Sequence, residues 1–263
     1  MRSGLRIVWR LALGAGLTQL ALAASTGRAV ADAFLERPGE GKVFFLSTFD
    51  GADQYYTRSG RLTPVPDYRK FSLSAFTEYG LDASTTLIGR AEVGRLDDLS
   101  GVTGQGAGAI GARRLLFDDG AFRMAAQAVA SAGSGLEGMP SRSYGAALDV
   151  RIAAAATFNI AKAPAFIEVS AGPRLMTGDW RGFRLDATFG VRPFEKWLVM
   201  LQSFNRFNEE GPFGGRARAH KAQASVMYDV TPQWSLIAGA FTTLAARAER
   251  RQQGALAGAM RRF

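Results

Sequence analysis

The sequence predicts an all-β protein: a transmembrane, antiparallel, up-and-down β-barrel of about twelve strands. Three observations point to it. Apolar and polar residues alternate with a period of two along many short segments, most clearly from 183 to 192. Tyrosine and tryptophan fall at the ends of such segments, and the chain begins with the pattern of an export signal. A soluble β-sandwich would instead show connections without a regular alternation in length.

The composition narrows the chemistry that is available. The chain has 263 residues, of which 47% are hydrophobic, with 31 glycines and no cysteine. An exported protein without cysteine has no disulfide framework and no thiolate nucleophile or metal ligand. No apolar run of about 18 residues follows the N-terminal region, so a membrane location requires a closed barrel.

The N-terminus predicts a secretory signal peptide. Residues 1–10 carry three arginines, residues 11–22 are apolar or small, and both 21–23 and 29–31 fit a small-x-small cleavage pattern. We expect a signal peptide over 1–31 and a barrel domain over 32–263. Cleavage after Ala31 is the preferred site, and cleavage after Ala23 is the alternative.

The charge argues against a nucleic-acid partner. The formal net charge is +9, but four of the 32 bases lie in the leader, which leaves 28 bases against 23 acids, or +5. These bases are spread singly, and no aromatic-basic platform or recognition helix accompanies them.

The connections between the predicted strands alternate in length, as the short periplasmic turns and longer extracellular loops of outer-membrane barrels do. Short turns are predicted near Gly80, Asp118, Pro193 and Thr231, and longer loops near Arg58, Asp98, Gly133, Glu209 and Arg247. An even number of strands returns both termini to the periplasmic side.

Charged residues on the polar face of these strands are expected to point into the barrel. The pore-lining candidates are Arg123, Arg151, Arg184, Asp186 and Arg192. The wider inward set adds these: Lys70, Glu78, Arg90, Glu92, Arg114, Asp149, Glu168, Lys221 and Asp229. Such charges either pair across strands and fill the interior or line a polar pore whose excess of arginine favours anions.

Aromatic residues at strand ends predict an interfacial girdle, which holds a barrel at the level of the lipid headgroups. Its members are Tyr79, Tyr144, Trp197, Tyr228 and Trp234.

Enzymatic chemistry has little support in the sequence. His220 is the only histidine, and Ser225, the nearest candidate nucleophile, lies five residues along the same strand, about 16 Å away. The segment 118–120 lacks the alternating oxygen ligands of a calcium loop. We expect no enzyme activity, no metal and no cofactor.

The chain resembles uncharacterised, porin-like outer-membrane β-barrel proteins of Gram-negative bacteria. The resemblance rests on the turn at 79–82, the block 183–193 and the terminal Arg262-Phe263, and it spans the mature chain. It implies an outer-membrane location, contact with outer-membrane lipids and recognition of Phe263 by the barrel-assembly machinery. Arg261 stands where such strands usually carry an apolar residue, which weakens that assembly signal.

Two functions compete at this point. One is a passive channel for small hydrophilic or anionic solutes, and the other is a closed structural or surface-interaction barrel without transport. The sequence predicts neither a specific substrate nor an oligomeric state.

Overall fold

The computed structural model of the chain describes residues 34–99, 101–134, 144–177, 180–208 and 216–263. The predicted signal peptide therefore lies outside the described residues. In the part of the chain that the structure describes, there is no helix long and apolar enough to cross a membrane.

Thirteen β-strands account for almost all of the described residues. In chain order they are β1 (Gly41–Tyr56), β2 (Leu62–Asp82), β3 (Thr85–Asp98), β4 (Gly101–Asp118), β5 (Phe122–Ser134), β6 (Tyr144–Ile160), β7 (Ala163–Met176), β8 (Trp180–Phe194), β9 (Trp197–Asn208), β10 (Arg218–Asp229), β11 (Trp234–Arg247), β12 (Glu249–Arg250) and β13 (Gln253–Arg262).

The strands close into a single antiparallel barrel. Each strand from β1 to β10 pairs with the next along the chain, β11 pairs with β13, and β13 pairs with β1. The two-residue β12 also pairs with β1, so β12 and β13 are two pieces of one barrel strand. This confirms the predicted fold, a closed barrel of twelve strands with one short extra piece.

The pairing register decides which side chains face the interior. Phe44 of β1 lies opposite Phe76 of β2 on the inner face, whereas the neighbouring Phe45 is exposed on the outside. On β8 the outer face carries Phe183 and Leu185, as the alternation predicts, while Arg184 points inward.

Both termini of the barrel meet at one end, which we call the terminal end. The amide of Gly41 donates to the carbonyl of Phe263 at 2.8 Å, and the amide of Phe263 donates back to Gly41 at 2.9 Å. The short connections β2–β3, β4–β5, β6–β7, β8–β9 and β10–β11 also lie at this end. We call the opposite end the loop end.

One predicted loop is largely strand. We expected an irregular segment around 98–104, but only residues 99 and 100 separate β3 from β4, and the register continues without a break from Asp98↔Gly101 to Thr85↔Arg114. Glycine lowers β propensity, yet a full ladder of hydrogen bonds to β3 outweighs that preference here.

Candidate functional site

The barrel interior holds most of the described ion pairs, and one group of them lies on β6, β7 and β8. Arg151 Nη1 is 3.0 Å from Asp186 Oδ2, which joins β6 to β8 across the intervening strand. Asp149 on β6 lies between Arg174 of β7, at 3.4 Å, and Arg184 of β8, at 3.6 Å. These side chains are mostly withdrawn from solvent, so their charges are screened by each other rather than by bulk water.

A second cluster of ion pairs lies at the terminal end. Asp229 of β10 accepts from Arg192 Nη1 at 2.8 Å and lies 3.3 Å from Arg262 Nη2. Arg123 pairs with Asp118 at 2.9 Å beside the β4–β5 turn, where both side chains are about a third exposed. The five pore-lining candidates thus all face the interior, each within a charge pair, and their part in a conducting path remains a prediction.

One member of the wider inward set was placed on the wrong face. Arg114 is exposed on the outside and donates to Thr85 Oγ1 at 2.9 Å, whereas its neighbour Arg113 is the one buried in the interior. The stretch before them, from 104 to 112, is mostly glycine and alanine and supplies little apolar contrast that would fix the face of either arginine.

A charge group with one exposed member occupies the inner face of β2 and β3 at mid-height. Glu92 lies 3.0 Å from Lys70 Nζ and 2.6 Å from Arg90 Nη2. The Arg90 side chain is 56% exposed even though its strand is paired on both sides. Opposite Arg90 on β4 stands Ala109, whose small side chain leaves this part of the interior open.

Three carboxylates share one arrangement. Glu92 lies between Lys70 and Arg90, Asp149 between Arg174 and Arg184, and Asp229 between Arg192 and Arg262. A carboxylate that faces two cations leaves a positive potential in the space they border.

The residues that precede β1 form a segment inside the terminal end, and we call 34–40 the N-terminal segment. Glu36 is buried and lies 2.9 Å from Lys42 Nζ, which in turn lies 2.6 Å from Glu78. Arg113 Nη2 reaches the other oxygen of Glu78 at 2.8 Å. The amide of Glu36 donates to Thr86 Oγ1 at 2.9 Å. Ion pairs and backbone bonds therefore hold this segment against β1 to β4.

Phe34 carries the N-terminal segment across to the opposite wall. Its carbonyl accepts from Arg113 Nη1 at 2.9 Å, its ring meets Phe166 of β7 edge-on at 5.9 Å, and Arg123 lies 5.2 Å from the ring centroid. Because β4 and β7 are three strands apart, the segment covers part of the opening. From the sequence alone we expect only a short polar lead-in over 32–41. The acidic and aromatic residues Phe34 and Glu36 were the signal that could have revealed it.

Part of the interior wall is apolar. Five buried apolar side chains from β9, β10, β13 and β1 face inward. They are Leu198, Met200, Met227, Met260 and Phe44.

Four of the five girdle candidates lie on the outer face at the terminal end. Tyr79, Trp197 and Trp234 are exposed there, and the rings of Trp197 and Tyr228 are 4.8 Å apart. Tyr144 begins β6 at the loop end, and its side chain is outside the described residues. Arg261 also faces outward, 5.6 Å from the ring of Trp234, so a cation–π contact accommodates the residue that departs from the usual terminal pattern.

His220 and Ser225 cannot act together. His220 faces outward and pairs through Nδ1 with Asn205 Oδ1, while Ser225 is buried on the inner face of the same strand. Among the described residues, no group of three or more histidine, aspartate or glutamate side chains could hold a metal ion.

Comparison with solved structures supports the fold. The COG4313 outer membrane channel from Pseudomonas putida F1 superposes with a TM-score of 0.70 at 11% identity, over 90% of this chain and 100% of that one. The KdgM porin in complex with disordered oligogalacturonate gives 0.52 at 10% identity, over 85% and 99%. The translocator domain of the autotransporter NalP from Neisseria meningitidis gives 0.55 at 10% identity, over 98% and 97%.

At these identities the likeness extends to the barrel fold and not to function. No protein-family model matches the sequence, and no curated protein matches it.

Proposed function

We propose that the protein is a passive outer-membrane channel for small hydrophilic solutes, with a preference for anions. The fold, the outward apolar surface and the aromatic residues at the terminal end support an outer-membrane location. In this orientation the terminal end faces the periplasm. Two of the similar structures are a channel and a porin, which agrees with passage of solutes.

The observation that carries the proposal is the exposure of Arg90. An arginine on the inner face, at mid-height and more than half exposed, requires water inside the barrel. Thr103, Gln105, Ala107 and Ala109 of β4 are only partly buried and extend this accessible wall toward the loop end. A wet wall of this kind is what a hydrophilic solute needs.

The anion preference follows from the shared carboxylates. Each of Glu92, Asp149 and Asp229 faces two basic side chains, so we expect a positive potential in the parts of the interior beside them. Because each cation also has an acidic neighbour, we expect a modest selectivity rather than an exclusive one.

The N-terminal segment favours a second candidate, a closed barrel without transport. It covers part of the terminal end, and Arg113, Glu78 and Lys42 fix it through buried ion pairs. A barrel closed there would hold water beside Arg90 without letting it pass through.

We assign no catalytic role to the protein, because passage of a solute requires none. Phe263, which follows β13, is proposed to serve the barrel-assembly machinery, and residues 1–31 to direct export and be removed.

The experiment is the reversal potential of single channels in a planar bilayer under a salt gradient. Arg90→Glu should shift selectivity toward cations, because it replaces the exposed cation of the wet wall. Arg95→Glu is the matched control, since Arg95 is on the same strand but faces outward opposite Phe71. If the folded Arg90→Glu variant conducts with unchanged ion selectivity, ions do not pass along the inner face beside Arg90.

A further inference from the structure

Two arginines lie directly opposite each other on the outer face of the barrel at the loop end. Arg218 of β10 and Arg247 of β11 are register partners, and both are exposed. Among the described residues, no carboxylate oxygen lies within 4.0 Å of either guanidinium. Two positive charges thus face the same space outside the barrel.

Like charges that are directly opposite in a sheet destabilise it. Elsewhere on the outer face the chain avoids this arrangement. Arg69 of β2 is opposite Asp97 of β3 and lies 3.0 Å from Asp67. The pair Arg218 and Arg247 therefore differs in placing two like charges directly opposite each other with no described acid beside them, and a bound anion would remove the repulsion.

The position of Arg218 and Arg247 along the barrel axis indicates that such an anion would be a lipid headgroup. Tyr228 stands on the outer face at the terminal end of β10, ten residues from Arg218. At about 3.3 Å per residue and a tilt of about 40°, this separation is about 25 Å along the barrel axis. The apolar band of such barrels is about 25 Å tall, so the arginines lie where lipid headgroups begin.

The neighbouring side chains match a lipid rather than a free ion. Phe207 of β9 is opposite Arg218 and exposed, and Leu244 is exposed beside Arg247. One step toward the membrane, His220 pairs with Asn205 on the same outer face. The outer face thus presents two arginines at the loop end and the pair of His220 and Asn205 next to them. Exposed apolar side chains nearby can contact acyl chains.

We propose that Arg218 and Arg247 bind the phosphate of an anionic lipid in the outer leaflet, with His220 at its lower edge. Each guanidinium presents a fork of N–H donors that suits phosphate oxygens. The acyl chains lie along Phe207 and Leu244. This site rests on the outer-membrane location but not on conduction, so it stands even if the barrel is closed.

The test is binding of lipid A carrying two phosphates to the purified, folded protein in detergent, followed by native mass spectrometry. Arg218→Gln/Arg247→Gln should weaken binding at least tenfold, while Arg69→Gln, the rim control, should change it less than twofold. Lipid A stripped of phosphate should bind the native protein as weakly as bisphosphorylated lipid A binds the double variant.

Equal binding of bisphosphorylated lipid A to the double variant and the native protein would overturn the site. So would equal binding of the phosphate-free lipid to the native protein. A difference in gel migration between the unheated and the boiled protein, equal to that of the native protein, checks that the double variant folds. Its single-channel conductance should equal that of the native protein, which separates this site from the proposed channel.

Discussion

Arg151 on β6 and Asp186 on β8 form an ion pair of 3.0 Å across strand β7, although they are 35 residues apart in sequence. The contact requires that all three strands keep their register, because a slip of one residue would turn either side chain to the outside. Asp186 Oδ1 also accepts from the amide of Asn205 at 3.2 Å, which ties in β9. The interior charges therefore act as markers of register as well as lining the barrel.

Because the outer face of the barrel contacts lipid, an arginine placed on it should lower the free energy of unfolding by an amount that depends on its depth in the bilayer. Val169 is exposed on the outer face of β7, six residues from its terminal end, or about 15 Å along the axis, close to the middle of the apolar band. Val169→Arg should lower the free energy of unfolding by about 2–4 kcal/mol, while Leu175→Arg near the loop end should cost about 1 kcal/mol or less. Urea titrations of the protein in lipid vesicles measure both values, and equal costs would contradict the assigned depth.

Asp149 lies between two arginines, so removing its charge alone should lower the free energy of unfolding strongly. Asp149→Asn keeps the shape but removes the negative charge that lies between the buried Arg174 and Arg184, so we expect a loss of about 3 kcal/mol in the free energy of unfolding. Asp118→Asn, whose partner Arg123 is partly solvated, should cost about 1 kcal/mol or less. The same urea titration compares them. Similar losses would mean that burial does not govern these pairs.

A substitution at Gly80 should displace the N-terminal segment without altering the barrel wall. A Cβ at Gly80 would lie 2.0 Å from the carbonyl oxygen of Arg37, so Gly80→Ala must push the segment away. The amides of Glu36 and Gly39, which bond to Thr86 and Gly80, should then exchange hydrogen faster. Gly104→Ala is the control, because nothing lies within 4 Å of its added methyl group.

Hydrogen exchange of peptides that cover the N-terminal segment measures this effect by mass spectrometry. Unchanged protection in Gly80→Ala would show that the segment is not held by close packing against β2.

The sequence predicted the faces of β8 correctly because Phe183 and Leu185 alternate with charged residues, and that contrast fixes the register. It could not predict which acid each arginine meets, since the partner of Arg151 sits two strands away and depends on the stagger of the whole barrel. Arg114 was assigned to the wrong face because the residues before it are mostly glycine and alanine and carry little apolar contrast.

The sequence did not predict the position of the N-terminal segment, for a different reason. Its residues adopt no regular strand, and they are held by Lys42, Glu78 and Arg113, which local periodicity cannot connect. Long-range ion pairs of this kind leave no periodic signature in the chain.

Passage of solutes through the barrel is tested most directly by single-channel recording in a planar bilayer. We expect the folded native protein to give small, discrete conductance steps, and Gly80→Ala to give larger ones because the N-terminal segment no longer narrows the terminal end. Gly104→Ala should match the native protein. Folded, bilayer-inserted native protein and Gly80→Ala that both give no conductance steps would contradict the channel and leave the closed barrel.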